Sequence, residues 1–334
     1  MTALSTSLTR RLGIRLPILA GGLMWLSDAD YVSAVARAGG LGFVTAASFP
    51  DDADLIAEIA RARRLCGALP FGVNVSMLPK LVPGEKTEDI FRLIADQGVT
   101  VIETSGRNPE PYMRLLKDLG LTVIHKVPAV RYALKAERVG VDMVTIVGAE
   151  CGGHPGLDMV GSFVNTAMAG EALRIPFLIG GGVGHGSQLV AALAMGASGV
   201  VLGTHLLVAE ELNAHPDYKT AIANATERDT ALTMQSVRNT VRTLANETTR
   251  AVAEMEAQTP DITIADLMPL VSGKIGRAAY QTGDVSRGLL SAGHALGLTR
   301  TIAPMAEIFA RLEAEAATAL ARLNGQTERV GERA

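Results

Sequence analysis

Aromatic residues supply only 4% of this 334-residue chain and tryptophan occurs once, so any large core must be aliphatic. Cysteine is scarcer still. Cys66 and Cys151 are the only two, too few for a disulfide framework and not spaced as a zinc site. They exclude a disulfide-stapled secreted scaffold and suit a reducing cytoplasm, the expected location. Excess charge of either sign is missing too: 31 basic against 34 acidic side chains leave a net charge of −3. With the signs interspersed, no electrostatic footprint for nucleic acid or an anionic membrane exists, and neither is expected as a partner.

Further absences narrow the function. Met1 to Arg15 has no apolar core of a secretory signal. The uncharged stretch Leu189 to Ala209 is long enough to span a bilayer, but Gly196-Ala197-Ser198-Gly199 stops a helix at its centre, so it reads as a helix followed by a strand. No Gly-x-Ser-x-Gly, Walker loop or Cys-x-x-Cys occurs, which sets aside serine hydrolases, P-loop enzymes and thiol redox proteins. His125, His185, His205, His215 and His294 lack metal-ligand spacing and are taken as structural or surface residues, with no metal site expected.

What the chain does have is glycine, 35 of them, and short apolar runs that alternate with helical segments. The runs are Pro17 to Ala20, Leu41 to Val44, Phe71 to Val75, Val99 to Glu103, Thr122 to Lys126, Met143 to Val147, Pro176 to Ile179 and Gly199 to Leu202. Eight such strands separated by helices imply a parallel sheet wound by crossovers, and a closed TIM (β/α)8 barrel is the economical α/β solution. An open doubly wound sheet is the alternative, but its first-turn Gly-x-Gly-x-x-Gly is absent. After the eighth strand, 213–275 is expected to form a small helical substrate domain, including a helix over Thr240 to Glu256. Residues 1–212 and 276–325 are assigned to the barrel and its closing helices. Ile308, Leu312, Ala316 and Leu320 mark one side of a final helix, with a frayed polar tail over 326–334.

Barrel chemistry sits at the C-terminal strand ends, and there polar groups and glycines converge: Gly21, Gly22 and Met24, Asn74, Glu103 and Thr104, His125 and Lys126, Glu150 and His154, Gly180 to Gly182, Gly203 and Thr204. Ile175 to Ala209 carries no Asp, Glu, Lys or Arg, and its glycine clusters end strands seven and eight. Together with a helix start nearby, such strand ends suit a phosphate held by backbone N–H groups. The glycines of Gly148 to Gly156 let a loop pass a flat ligand while His154 serves as general base or hydrogen-bond donor. Lys126 could support negative charge on a bound ring, and Asn74 offers both donor and acceptor to a ring edge.

Ala20 to Met24, Phe71 to Asn74, His125-Lys126, Glu150 to Gly156, Gly180 to Gly182 and Gly203-Thr204 together resemble the nitronate monooxygenase (2-nitropropane dioxygenase-like) flavoprotein family. The likeness extends to Ser236 to Thr240 and Leu270 to Gly273, and is greatest to the family's bacterial NADH:quinone reductase branch. It implies one non-covalent FMN, with Gly22, Met24, Asn74, Lys126 and Gly152 at the isoalloxazine ring. By the same match Gly181, Gly182, Gly203 and Thr204 would hold the FMN phosphate, and His154 would be the catalytic residue facing substrate. NAD(P)H is the implied donor, and a quinone, enone or nitronate the implied small-molecule partner of a monomer or homodimer. Two positions depart from the family: Val147 stands where nitronate enzymes usually carry glutamine, and Leu78 to Pro83 matches the reductase gate loop only in part. Nitronate oxidation and enoyl-thioester reduction stay open as alternatives, as do a flavin-free barrel isomerase or lyase and a redox-sensing flavin carrier.

Overall fold

The computed structural model describes the backbone of residues 4–77 and 85–331, with side chains to residue 325; the gate-like stretch 78–83 lies outside the described residues. Eight parallel strands close into a barrel in sequence order: β1 (Ile18–Ala20), β2 (Leu41–Thr45), β3 (Gly72–Ser76), β4 (Val101–Ser105), β5 (Thr122–Val127), β6 (Met143–Val147), β7 (Phe177–Gly180) and β8 (Gly199–Leu202), with β1 pairing both β2 and β8. Each matches one apolar run, and the TIM barrel expected from the sequence is the observed fold. Helices α1 (Ser7–Leu12), α2 (Ala29–Ala38), α3 (Asp52–Cys66), α4 (Thr87–Asp96), α5 (Met113–Asp118), α6 (Val130–Arg138), α7 (Ser162–Ala172) and α8 (Gly186–Ala194) accompany the strands.

Strand alternation separates two apolar layers. Leu19, Phe43, Val101, Ile124, Met143, Leu178 and Val201 fill the barrel, and Leu8 and Leu12 of α1 close its N-terminal end. The residues between them point outward to Val32 and Val35 of α2, Leu55 and Ile59 of α3, and Phe91 and Ile94 of α4. Full burial of each such side chain stabilises by about 1.5–3 kcal/mol. Above this apolar layer, the inward side chains Asn74, Glu103 and Lys126 stand toward the C-terminal mouth.

Beyond β8 come α9 (Pro216–Asn224), β9 (Thr230–Thr233), β10 (Val241–Leu244), α10 (Glu247–Gln258), α11 (Ile264–Val271), α12 (Gly273–Thr282) and α13 (Met305–Gly331). The helix expected from Thr240 does not start there. Val241 and Thr243 are β-branched and alternate with Arg242 and Leu244, so the segment pairs antiparallel with β9. Asn246 then caps α10, its side chain accepting from Thr249 N at 3.0 Å. Helix α13 also outlasts expectation, continuing past Gly325 to Gly331. One helical glycine costs only about 1 kcal/mol, and the Gln, Glu and Arg after it are good helix formers.

Candidate functional site

Three inward side chains on adjacent strands form one polar chain across the mouth. Asn74 and Glu103 are register partners on β3 and β4, and Asn74 Nδ2 donates to Glu103 Oε2 at 2.6 Å. Lys126 Nζ of β5 reaches the same oxygen at 3.0 Å. Glu103 is fully buried, and its Oε1 has no partner among the described residues. An isolated buried carboxylate is costly, so the ammonium and amide donors are what make it tolerable. Gly22, after β1, packs onto this chain: a Cβ there would stand 2.7 Å from Asn74 Cβ. Met24 is 47% exposed at the rim, with Ser48 Oγ 3.7 Å from its sulfur.

The glycine ends of β7 and β8 lie side by side, with Gly180 opposite Val201. Gly181 and Gly182 have φ of +95° and +72°, conformations that side chains rarely adopt. Among the described residues, the N–H groups of Gly181, Gly182, Gly203 and Thr204 have no protein acceptor. All four residues are half-buried. A Cβ on Gly203 would meet only Leu23, at 3.8 Å, which leaves that side open. Four unpaired donors on neighbouring strand ends fit an oxyanion. Thr204 has a second duty, since its Oγ1 accepts from Gly293 N at 2.9 Å.

The helix start expected to help hold a phosphate is occupied. Gly184 N and His185 N donate to Gln188 Oε1, and Gly186 N donates to Glu315 Oε2 at 2.7 Å. A Cβ on Gly186 would stand 2.1 Å from Leu312 O, so glycine is what allows α8 and α13 to touch. A candidate anion site here would therefore consist of strand-end amides alone.

Across the mouth, the loop after β6 is held from both sides. Gly153 and Arg242 exchange both backbone hydrogen bonds, at 2.9 and 2.7 Å. Gly152 packs against the backbone of Ala292, which a Cβ would approach to 2.8 Å. That contact explains the glycine independently of any ligand. His154 keeps an exposed edge but sits among protein on its other sides, and this dehydration lowers its pKa while a hydrogen bond with Asn239 opposes the shift. Its neutral form persists to lower pH than that of a free imidazole. Cys151 is buried, which pushes its thiol up to about 12 and leaves it unreactive.

A cavity of about 650 Å³ lies beside the mouth rather than over the glycines, lined among others by Trp25, Asp28, Ser48, Arg277 and Tyr280. Trp25 adopts a φ of +68° there, and the Arg277 guanidinium lies 4.8 Å from its ring centre. Among the described residues no group of three potential ligands is placed to hold a metal ion, and no helix is long and apolar enough to cross a membrane.

All ten residues singled out in the sequence lie at this end of the barrel. Asn74, Gly22 and Lys126 form one group, and Gly181, Gly182, Gly203 and Thr204 another; Gly152 adjoins the second through Gly293. His154 stands apart, its hydrogen bond going to Asn239 of the insertion. Glu103 was visible as a carboxylate ending an apolar strand, yet its pairing required the register. Nothing in the sequence pointed to Ser162 or Arg242, whose partners are backbone carbonyls and carboxylates of other loops.

The family model for nitronate monooxygenase matches residues 5–315. A probable nitronate monooxygenase of Staphylococcus saprophyticus is 29% identical over 301 residues, covering 78% of this chain and 84% of its own. The structure of FabK from Thermotoga maritima superposes with a TM-score of 0.88 at 32% identity, over 96% of this chain and 99% of FabK. A nitroalkane oxidase structure from Streptomyces ansochromogenes gives 0.79 at 26% identity, over 95% and 100%. The chain belongs to the nitronate monooxygenase family and is an oxidoreductase.

Proposed function

We propose that this family member binds FMN and transfers a hydride from NAD(P)H to a quinone or another conjugated carbonyl. The observation that carries the reading is the set of four unpaired N–H groups at the ends of β7 and β8, set apart from a polar ring-edge site at Asn74 and Lys126. Unpaired amides at one pair of strand ends and polar side chains at another are what a phosphorylated ring cofactor requires. Gly181, Gly182, Gly203 and Thr204 would hold its phosphate. Gly22, Met24, Asn74, Lys126 and Gly152 would surround its ring.

When bound, FMN supplies two-electron hydride chemistry, and the protein supplies position and electrostatics. Lys126 would place a cation near charge developing on the ring. His154, kept neutral by its surroundings, would donate to or accept from the substrate oxygen at neutral pH. The protein is read as a cytoplasmic monomer or homodimer acting on small molecules.

The likeness to FabK over nearly the whole chain supports a second reading, reduction of an enoyl thioester by the same hydride route. Anaerobic stopped-flow mixing of the FMN-loaded protein separates them. Bleaching by NADH or NADPH, followed by reoxidation with a quinone but not with an enoyl thioester, is the expected result. Bleaching by propionate 3-nitronate with none by NAD(P)H would overturn the proposal in favour of nitronate oxidation.

A further inference from the structure

We infer that Glu103 is a positioning residue that sets the electrostatic charge offered to the cofactor ring, by pairing Lys126 from inside the barrel while holding Asn74. The inference rests on the FMN reading and adds to it a residue that need not touch the ring. Glu103 is fully buried, whereas the Lys126 side chain is 23% exposed. Of the pair, the cation alone faces the mouth.

Register shows how the pair is built. Glu103 lies opposite Asn74 on β3, and Lys126 lies opposite Ser105, one inward position above Glu103. The lysine stem therefore starts nearer the mouth and turns back to place Nζ 3.0 Å from Glu103 Oε2. That oxygen also accepts from Asn74 Nδ2 at 2.6 Å, so one atom fixes both polar ring-edge residues. Oε1 takes neither donor and has no partner among the described residues. Thr145, opposite Lys126 on β6, has a buried hydroxyl equally without a partner. The polar row thus has acceptor capacity to spare, and among the described residues Lys126 is the one cation within it.

Charge follows directly. With Glu103 ionised, the Glu103–Lys126 pair carries −1 and +1, a net of zero; without it, Lys126 would present a full uncompensated charge. A neutral pair favours the reduced, more anionic ring less than a lone cation does, so Glu103 would hold the flavin potential down. Asn74 orientation comes from the same carboxylate. One Nδ2–H is committed to Glu103, which fixes the amide's orientation and leaves Oδ1 as its acceptor for a ring N–H donor, apart from a long 3.4 Å contact from Ser76 Oγ.

The test compares FMN-loaded wild-type, Glu103→Gln, Lys126→Gln and the double variant by two-electron midpoint potential, together with FMN dissociation constants. Glutamine keeps the shape of the side chain and removes its charge. Glu103→Gln is expected to favour the reduced form at least tenfold, about 30 mV more positive for a two-electron couple. Lys126→Gln should move the potential the opposite way, and the double variant should lie near wild type. A merely structural role would not produce an order that follows net charge. If Glu103→Gln does not fold, the double variant leaves no unpaired charge, and it must lie positive of Lys126→Gln. Four coincident potentials, or a negative shift in Glu103→Gln, overturn the inference while the FMN reading stands. A wild-type protein that binds no FMN overturns both.

Discussion

Replacing Gly181 by aspartate would test the anion cradle, once the cost of the backbone is separated from the cost of the charge. The backbone part is visible in the structure. Gly181 has a φ of +95°, and a Cβ on it would lie 3.0 Å from both Gly148 N and Gly148 O and 2.9 Å from Ser162 Oγ. The dihedral alone costs about 1–2 kcal/mol for a side-chain-bearing residue. Crowding against a backbone that cannot easily retreat adds roughly 1–3 kcal/mol. Asparagine suffers both penalties and tolerates positive φ about as well as aspartate, so Gly181→Asn is the control. The difference between them is charge. Two like charges about 4 Å apart repel by about 4 kcal/mol at the effective dielectric of a protein surface. Halving this for solvent and salt at a half-buried site leaves about 2 kcal/mol, roughly 30-fold in dissociation constant. Fluorescence titration of FMN into the two apo-variants, with thermal unfolding as a check on folding, measures that ratio. Equal affinities for Gly181→Asp and Gly181→Asn would refute the placement of a phosphate at these amides.

Three further outcomes follow from particular contacts. His154→Ala should leave FMN binding within a few-fold of wild type but slow reoxidation by the acceptor, and it should remove an acid limb lying below the usual histidine range, because burial lowers the His154 pKa; loss of flavin instead would show that its role is structural. His125 is buried with its pKa lowered to about 4, its Nδ1 2.9 Å from Thr104 Oγ1. The unfolded chain therefore takes up that proton first: stability is complete above the unfolded value of about 6.5 and falls by about 2–3 kcal/mol as pH drops to about 4. Urea unfolding across that range should show this slope, and His125→Gln should flatten it. Gly186→Ala should lower the melting temperature through the α8–α13 contact, where its Cβ would meet Leu312 O at 2.1 Å, by about 1–3 kcal/mol of stability; an unchanged melting temperature would mean that α13 can shift without cost.

The barrel strands were legible because each is a short apolar run bounded by turn residues, and their alternation also assigned inward and outward faces. The ribbon of β9 and β10 was not, because a four-residue pair such as Thr230–Thr233 and Val241–Leu244 gives too brief an alternation to stand out beside the helix-favouring residues that follow. Local signals identified the glycines at 181 and 182, since positive φ and close approach leave glycine in the sequence wherever they are needed, whereas Gly203 has a negative φ and open space where a Cβ would stand. They could not reveal that the start of α8 is sealed, because the sealing carboxylate, Glu315, lies 129 residues from Gly186. Similarly, Lys126 and Asn74 were readable as polar strand ends, whereas their shared attachment to Glu103 depends on the stagger of three neighbouring strands. Properties of one segment were written locally; properties of pairs waited for the register.

That dependence on pairs bears on how cofactor and substrate sites are coupled. Glu150 lies in the same loop as His154, and its carboxylate accepts from Ser162 N at 3.0 and 2.9 Å and meets Ser162 Oγ at 2.9 Å. The same hydroxyl lies 3.0 Å from Gly180 O and 2.8 Å from Gly181 O. One proton cannot satisfy three acceptors at once, so Ser162 must divide between the carboxylate of the histidine loop and the carbonyls of the cradle. Gly148 has to be glycine for these groups to meet, since a Cβ there would come within 2.2 Å of Ser162 Oγ. On the other side, Gly293 lies against Gly152 while its N–H binds Thr204 at the end of β8. The loop bearing His154 is thus fastened to both halves of the anion cradle. An anion drawn toward the Gly181 amide would bias how the Ser162 proton is shared, and through Glu150 the loop that carries His154. If the cradle takes the phosphate of FMN as proposed, phosphate binding and histidine placement would be coupled through one hydrogen-bonded frame, and riboflavin, which lacks the phosphate, should support slower reoxidation by the acceptor than FMN at saturating flavin in the stopped-flow assay.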